Sequence, residues 1–331
     1  MKKETIAVWF SSGVASAIAS KKTIEKYGKT HNVIIVNNPV VNEHKDNLRF
    51  LKDCEKWFGQ KIVLATNKNY PTCNIEDVFD KRKYISGITG ASCTKFLKKE
   101  ARYQFEKENN IDWHVLGFTI DEWKRQKRFN TFERNNVIPV LITELITKED
   151  CFKILKKAGI KRPKIYDLGF PNANCIGCVK SQSPTYWNLV RKEFPQIFKN
   201  RAEQSRRLGA KLIKRKGKRI FLDELLATDK GGIIKSYECG IFCETVSELE
   251  NSKSNYKGRQ KGTKTPSAEF LKKNKTIANA ISKNPDISLR KIAIKTGVSH
   301  SKVAKVKKML ISEKKYQFDL LESIKDIESK E

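Results

Sequence analysis

The chain has 331 residues, with 67 Lys and Arg against 37 Asp and Glu, a formal net charge of +30. An apolar fraction of 39% and an aromatic fraction of 9% suffice for packed cores and exclude wholesale disorder, and no apolar run reaches the roughly 18 residues that a membrane span needs. The length suits two domains and a small third, and the charge suits polyanions (nucleic acid, sulfate or phosphate) or, more plainly, a lysine-rich solvated surface. The short apolar run after the N-terminus is too brief for a signal-peptide core, so the expected setting is soluble and cytoplasmic.

In chain order, short runs rich in Val, Ile and aromatics predict strands at 5–10, 32–37, 61–66 and 112–117. Amphipathic stretches between them predict helices at 14–27, 47–58, 75–84 and 91–109. Strands alternating with helices predict an α/β fold, a doubly wound parallel sheet whose ligand lies beyond the carboxyl ends of the strands. The expected domains are a nucleotide-binding core over 1–147 and a helical, cysteine-bearing part over 148–250, with helices at 148–158 and 185–207. A Gly/Ser/Lys/Asn-rich linker over 251–265 and a small all-α unit over 266–331 follow.

The first predicted strand runs into Ser11-Ser12-Gly13-Val14-Ala15-Ser16 and then a helix. Small residues let the backbone fold around an oxyanion, which the hydroxyls and the amides at a helix N-terminus can bind. An ordinary capped helix start would read the same way. The turn resembles the Ser-Gly-Gly-x-Asp-Ser loop of the PP-loop superfamily of adenine-nucleotide enzymes, with Ala15 where ATP-pyrophosphatase members carry aspartate. The resemblance implies that Ser11, Ser12, Gly13 and Ser16 hold the phosphate or sulfate end of PAPS, adenylyl sulfate or ATP.

Eight cysteines occur without a secretion signal, so metal ligation or thiol chemistry is expected before a disulfide framework. Cys54 and Cys151 sit in helical patterns, and these two and Cys73 are expected to be packing residues. Cys175-Ile176-Gly177-Cys178 is a C-x-x-C, a spacing that serves zinc, an iron–sulfur cluster or a redox dithiol. Cys93 lies at a predicted helix start, where the dipole favours thiolate.

The segment from Ile165 through Gly169-Phe170 to Cys178 resembles that of the sulfonucleotide reductases, the phosphoadenosine phosphosulfate (PAPS) reductase family. In members using adenylyl sulfate, an upstream Cys-Cys pair completes a [4Fe–4S] site, and here Ser92-Cys93-Thr94 stands at that place. The resemblance implies a [4Fe–4S] cluster on Cys93, Cys175 and Cys178, with Cys243 or an open iron as the fourth position. Glu238-Cys239-Gly240-Ile241-Phe242-Cys243 resembles the family's nucleophile segment. Cys239 would then attack sulfate sulfur, and a thioredoxin-like reductant would release sulfite. Two buried structural cysteines are the plain alternative.

The family keeps basic residues after the strand near 117, which implies oxyanion roles for Arg125 and Arg128, although both could simply solvate a helix face. Lys95, Lys98 and Lys99 admit the same two readings, and His44 is read as a surface residue. The resemblance spans about 5–244 with a long insertion at 180–235, whose Tyr186-Trp187-Asn188 and Glu193-Phe194-Pro195 segments look like a branch common in phage and mobile elements.

Within 266–331, helices at 288–296 and 299–310 around Gly297-Val298-Ser299 resemble a DNA-binding helix-turn-helix. Ser299, His300, Ser301, Lys302 and Lys305 would face a major groove, so nucleic acid is an expected partner. A helical hairpin used for packing is the alternative. Three functions follow: thiol-dependent reduction of an adenylylated sulfate, an iron–sulfur, ATP-using sulfurtransferase modifying DNA or RNA, and a DNA-binding regulator on a degenerate reductase fold.

Overall fold

The computed structural model describes residues 3–87, 90–132, 134–232, 234 and 303. The expected linker and helix-turn-helix therefore lie outside the described residues, apart from Val303.

Strand β1 (Thr5–Trp9) pairs in parallel with β2 (Asn32–Asn37) on one side and with β6 (Trp113–Val115) on the other. Strands β3 (Ile62–Leu64) and β7 (Val137–Ile138) complete an all-parallel five-stranded sheet of order β3-β2-β1-β6-β7. This is the expected α/β architecture. Both faces of β1 are covered, as the two-residue period of a strand requires. Ile6, Val8 and Phe10 enter one core with helices α1 (Val14–Tyr27), α2 (Asp46–Phe58) and α7 (Lys148–Lys157). Ala7 and Trp9 enter another with Phe105, Phe118 and Phe129. Cys54 and Cys151 are fully buried, and burial pushes the Cys151 thiol up to about 12.

A third core lies beside the sheet. It gathers α3 (Ile75–Arg82), the antiparallel pair β4 (Ser86–Gly87) and β5 (Gly90–Ala91), and the residues around Cys93, Cys175 and Cys178. Two helices, α8 (Pro184–Glu193) and α9 (Pro195–Arg207), close it.

Several predicted elements change here. The helix expected over 91–109 is a π-helical turn, Thr94–Glu100, running into α4 (Ala101–Glu108). The single helix expected over 185–207 is broken at Phe194-Pro195, because proline supplies no N–H and Phe194 leaves helical geometry at φ −140°. Helix α5 (Trp123–Phe132) forms where one reading of Arg125 and Arg128 implied a helix face, whereas α6 (Val140–Thr143) and the hairpin of β8 (Ile213–Arg215) with β9 (Lys218–Ile220) were not among the expected elements. Among the described residues no helix is long and apolar enough to cross a membrane.

Candidate functional site

The turn after β1 is built by its own hydroxyls. Phe10 N donates to Val36 O at 2.8 Å, extending the ladder, and Asn37 Nδ2 donates back to Phe10 O at 2.8 Å. The chain then turns sharply at Ser12, which takes the left-handed conformation with φ 56°. Ser16 Oγ accepts from Ser11 N at 3.1 Å and donates to Gly13 O at 2.9 Å. Gly13 is extended and offers α1 no side-chain cap, and the first turn of α1 carries no acid. Its amide dipoles are left to favour an anion.

That N-terminus floors a cleft beyond the carboxyl ends of β1, β2 and β6, the location a doubly wound sheet dictates. Ser11, Gly13 and Ser16 line it, and so does Arg125 from α5, which donates to Glu122 Oε1 at 2.8 Å. Two further cations enter from other segments. Lys98 is buried, donating to Asn38 O at 2.9 Å with Glu43 Oε1 3.6 Å away. Lys148 donates to Pro171 O at 3.0 Å and to Asn172 Oδ1 at 2.7 Å. Burial pushes the Glu43 carboxyl up, and the Lys98 charge and the Asn47 amide pull it back in part. Tyr166 forms another wall, its hydroxyl 3.5 Å from Val14 N.

The structure thus brings Ser11, Gly13, Ser16 and Arg125 to one cleft. Ser12 is turned inward, 3% exposed, with its Oγ accepting from Asn37 Nδ2 at 3.4 Å. The Arg128 side chain lies outside the described residues, as do Cys239, Cys243, Ser299, His300, Ser301, Lys302 and Lys305.

The C-x-x-C loop is fixed by its neighbours. Cys178 N donates to Tyr186 Oη at 2.7 Å, Ile176 N donates to Asn42 O at 2.9 Å, and Trp187 Nε1 donates to Ser181 O at 2.7 Å. Gly177 has φ 69°, and a side-chain carbon there would press within 3.4 Å of Trp187 and Ile197. Cys175 and Cys178 line a small pocket with Tyr186 and Ser181, and Asn172 and Asn174 line both this pocket and the larger cleft.

Behind the cysteines lies Arg201, 1% exposed, its guanidinium 5.0 Å from the Phe79 ring and 3.5 Å from Glu76. Burial draws its pKa below the ordinary arginine value, while Glu76 and the thiolate charges of Cys93, Cys175 and Cys178 act in the other direction. One buried cation therefore lies within electrostatic range of all three cysteines. Among the described residues no three of His, Cys, Asp and Glu are grouped to hold a single metal ion.

Sequence reasoning missed Glu43, Lys148, Tyr166 and Arg201. Glu43 follows β2 and could have been flagged by strand-end position. Arg201 carried no local signal, because it reads as one more cation on a polar helix.

No protein-family model and no curated protein matches the chain. Among solved structures it is similar to the U34-tRNA thiolase NcsA from Methanococcus maripaludis with its [4Fe-4S] cluster. The likeness has 13% sequence identity, covers 73% of this chain and 80% of that one, and has a TM-score of 0.39. At that distance it assigns neither family nor activity to this chain.

Proposed function

We propose that the chain is a PP-loop enzyme that uses an adenine nucleotide and an iron–sulfur cluster to transfer sulfur to nucleic acid. The observation that carries this reading is the wall of Asn172 and Asn174 shared between the oxyanion cleft and the cysteine pocket. It would make phosphate binding and thiol chemistry neighbours.

The Ser11–Ser16 turn would bind the phosphate end through the amides of α1, with Arg125, Lys98 and Lys148 offsetting its charge. Cys93, Cys175 and Cys178 would hold the cluster. The donor set fits in kind, being three thiols with one buried guanidinium, Nε of which has no hydrogen-bond partner, to offset thiolate charge. The chemistry such a cluster supplies is sulfur binding at an iron that no protein side chain occupies.

The reductase reading keeps one specific support, the Glu238-Cys239-Gly240 segment. One experiment separates the two. Protein purified without oxygen is assayed for iron and visible absorption, then given ATP and sulfide with DNA or tRNA, or given PAPS or adenylyl sulfate with thioredoxin. AMP and pyrophosphate formation that depends on the nucleic acid, with sulfur incorporated and lost in Cys175→Ser, supports the transferase. Sulfite release abolished by Cys239→Ser replaces it with the reductase. Binding of a duplex with no nucleotide turnover replaces both with the regulator.

A further inference from the structure

The insertion contains a run of cations, Lys211-Leu212-Ile213-Lys214-Arg215-Lys216-Gly217-Lys218-Arg219-Ile220, which folds into the β8–β9 hairpin. Lys216 and Gly217 at its tip have φ of 46° and 84°, the paired positive values of a tight two-residue turn. The register sets Ile213 against Ile220, Lys214 against Arg219 and Arg215 against Lys218. Ile213 is fully buried in the cluster that contains Cys175 and Cys178, and Lys214 N donates to Gln182 O at 2.9 Å, just beyond the C-x-x-C loop. The hairpin is rooted beside the cysteines and its tip is in solvent.

The tip is electrostatically unfavourable alone. Lys214, Lys216, Lys218 and Arg219 are exposed. Arg215 is answered by Asp229 at 2.9 Å, whose charge also reaches Lys216, and among the described residues no carboxylate lies within ion-pair distance of Lys214, Lys216 or Lys218. Both cross-strand pairs beyond the isoleucines set cation against cation, which opposes pairing in a ribbon that is already short. A polyanion would relieve that repulsion.

Because directly opposed residues share a face, Lys214 and Arg219 mark one face of the ribbon and Arg215 and Lys218 the other. The Arg215 face is the one on which Ile213 is buried, and Arg215 is bonded to Asp229, so the open cations are Lys214 and Arg219 on the other face and Lys216 and Lys218 at the tip, a narrow basic edge that suits a groove better than a flat anionic surface. A two-stranded ribbon enters the major groove of B-DNA, whereas that of A-form RNA is too narrow. We propose that the β8–β9 hairpin is a docking element for the phosphate backbone of duplex DNA. This holds whether or not the cleft takes a nucleotide, and it is separate from the expected helix-turn-helix.

The test uses the full chain and a fluorescently labelled DNA duplex, with anisotropy titrations over a salt series. The triple substitution Lys214→Ala, Lys216→Ala, Lys218→Ala is expected to weaken binding by about tenfold or more and to reduce the log–log salt slope by about three. A charge-matched control, Lys153→Ala, Lys156→Ala, Lys157→Ala on α7, is expected to leave both near wild type. In addition, Arg219→Glu is expected to raise the melting temperature while weakening DNA binding, a split that damage to the fold would not produce. Unchanged affinity and slope in the hairpin triple would overturn the proposal, and so would equal losses in both triples. Tighter hairpin-dependent binding of duplex RNA than of duplex DNA, or no DNA binding by the wild type, would overturn it as well.

Discussion

A side-chain carbon at Gly117 would lie 2.7 Å from the Ser16 amide nitrogen and 2.8 Å from Ser16 Cα. The residue just past β6 and the first turn of α1 therefore meet backbone to backbone, and only glycine permits it. The helix terminus that faces the cleft is positioned by a residue that carries no functional group.

Gly117→Ala is accordingly expected to push the α1 terminus out of place. Nucleotide affinity should fall by about tenfold or more, with stability lowered by roughly 1–3 kcal/mol. Calorimetric titration with ATP, beside a urea melt, checks both, and unaltered ATP binding would refute the positioning role.

Lys98 and Glu43 are a buried pair reached from distant parts of the sequence. Lys98→Ala leaves a buried carboxylate without its cation and should cost roughly 3 kcal/mol. Adding Glu43→Gln should recover much of that loss. A double-mutant cycle by chemical denaturation measures the coupling, and strict additivity would count against it.

Asp46 starts α2 and accepts from Arg49 Nε at 2.7 Å, Arg49 Nη2 at 2.8 Å and Lys164 N at 2.8 Å. Chiefly through the Arg49 hydrogen bonds, its carboxyl is held down at about 2, below the ordinary 3.8. A depressed acid contributes stability above its unfolded value, and that stability is lost as pH falls through the folded one. Asp46→Asn should therefore cost about 1 kcal/mol at neutral pH, allowing for partial exposure. The gap from wild type should close near pH 2, which denaturant melts across pH will show.

His114 is buried, accepts from Trp9 Nε1 at 3.1 Å, and has its other ring nitrogen 2.7 Å from Arg134. Burial, with the Arg134 and Arg102 charges, lowers its pKa from 6.5 to about 3. Below pH 6.5 the unfolded chain takes up a proton that the folded chain refuses, so stability drops as pH falls through this window. His114→Gln should flatten that drop, by roughly 2 kcal/mol between pH 6.5 and 4.5. Parallel pH profiles of the two proteins would disprove it.

The sheet was legible because its strands are apolar on both faces and short, so 32–37 and the helix 14–27 match β2 and α1 in both bounds. The turn between β1 and α1 was legible too, since the small residues Ser11, Ser12 and Gly13 interrupt the apolar strand pattern just before the helix begins. What escaped was tertiary. Lys98 stayed open between an oxyanion role and a solvated helix face, and Glu43 went unassigned, because their burial depends on each other, across loops that only folding brings together. Arg201 packs over Phe79 and faces Glu76, both on α3, which lies far from it in sequence. The hairpin at 213–220 was overlooked because lysines do not alternate with apolar residues there, although Lys216-Gly217 was a usable turn signal.

The central strand has a consequence for the order of folding. β1 meets its first partner β2 soon after synthesis, but its other neighbour comes much later, Asp112 meeting Thr5 across 107 positions. Closing so long a loop is slow in topological terms. The Ser11–Ser16 turn precedes both Gly117 and Arg125 in the chain. It waits, with one wall missing, until Gly117 and Arg125, about a hundred residues further on, have been made and docked, so the turn exists before the wall that completes its cleft.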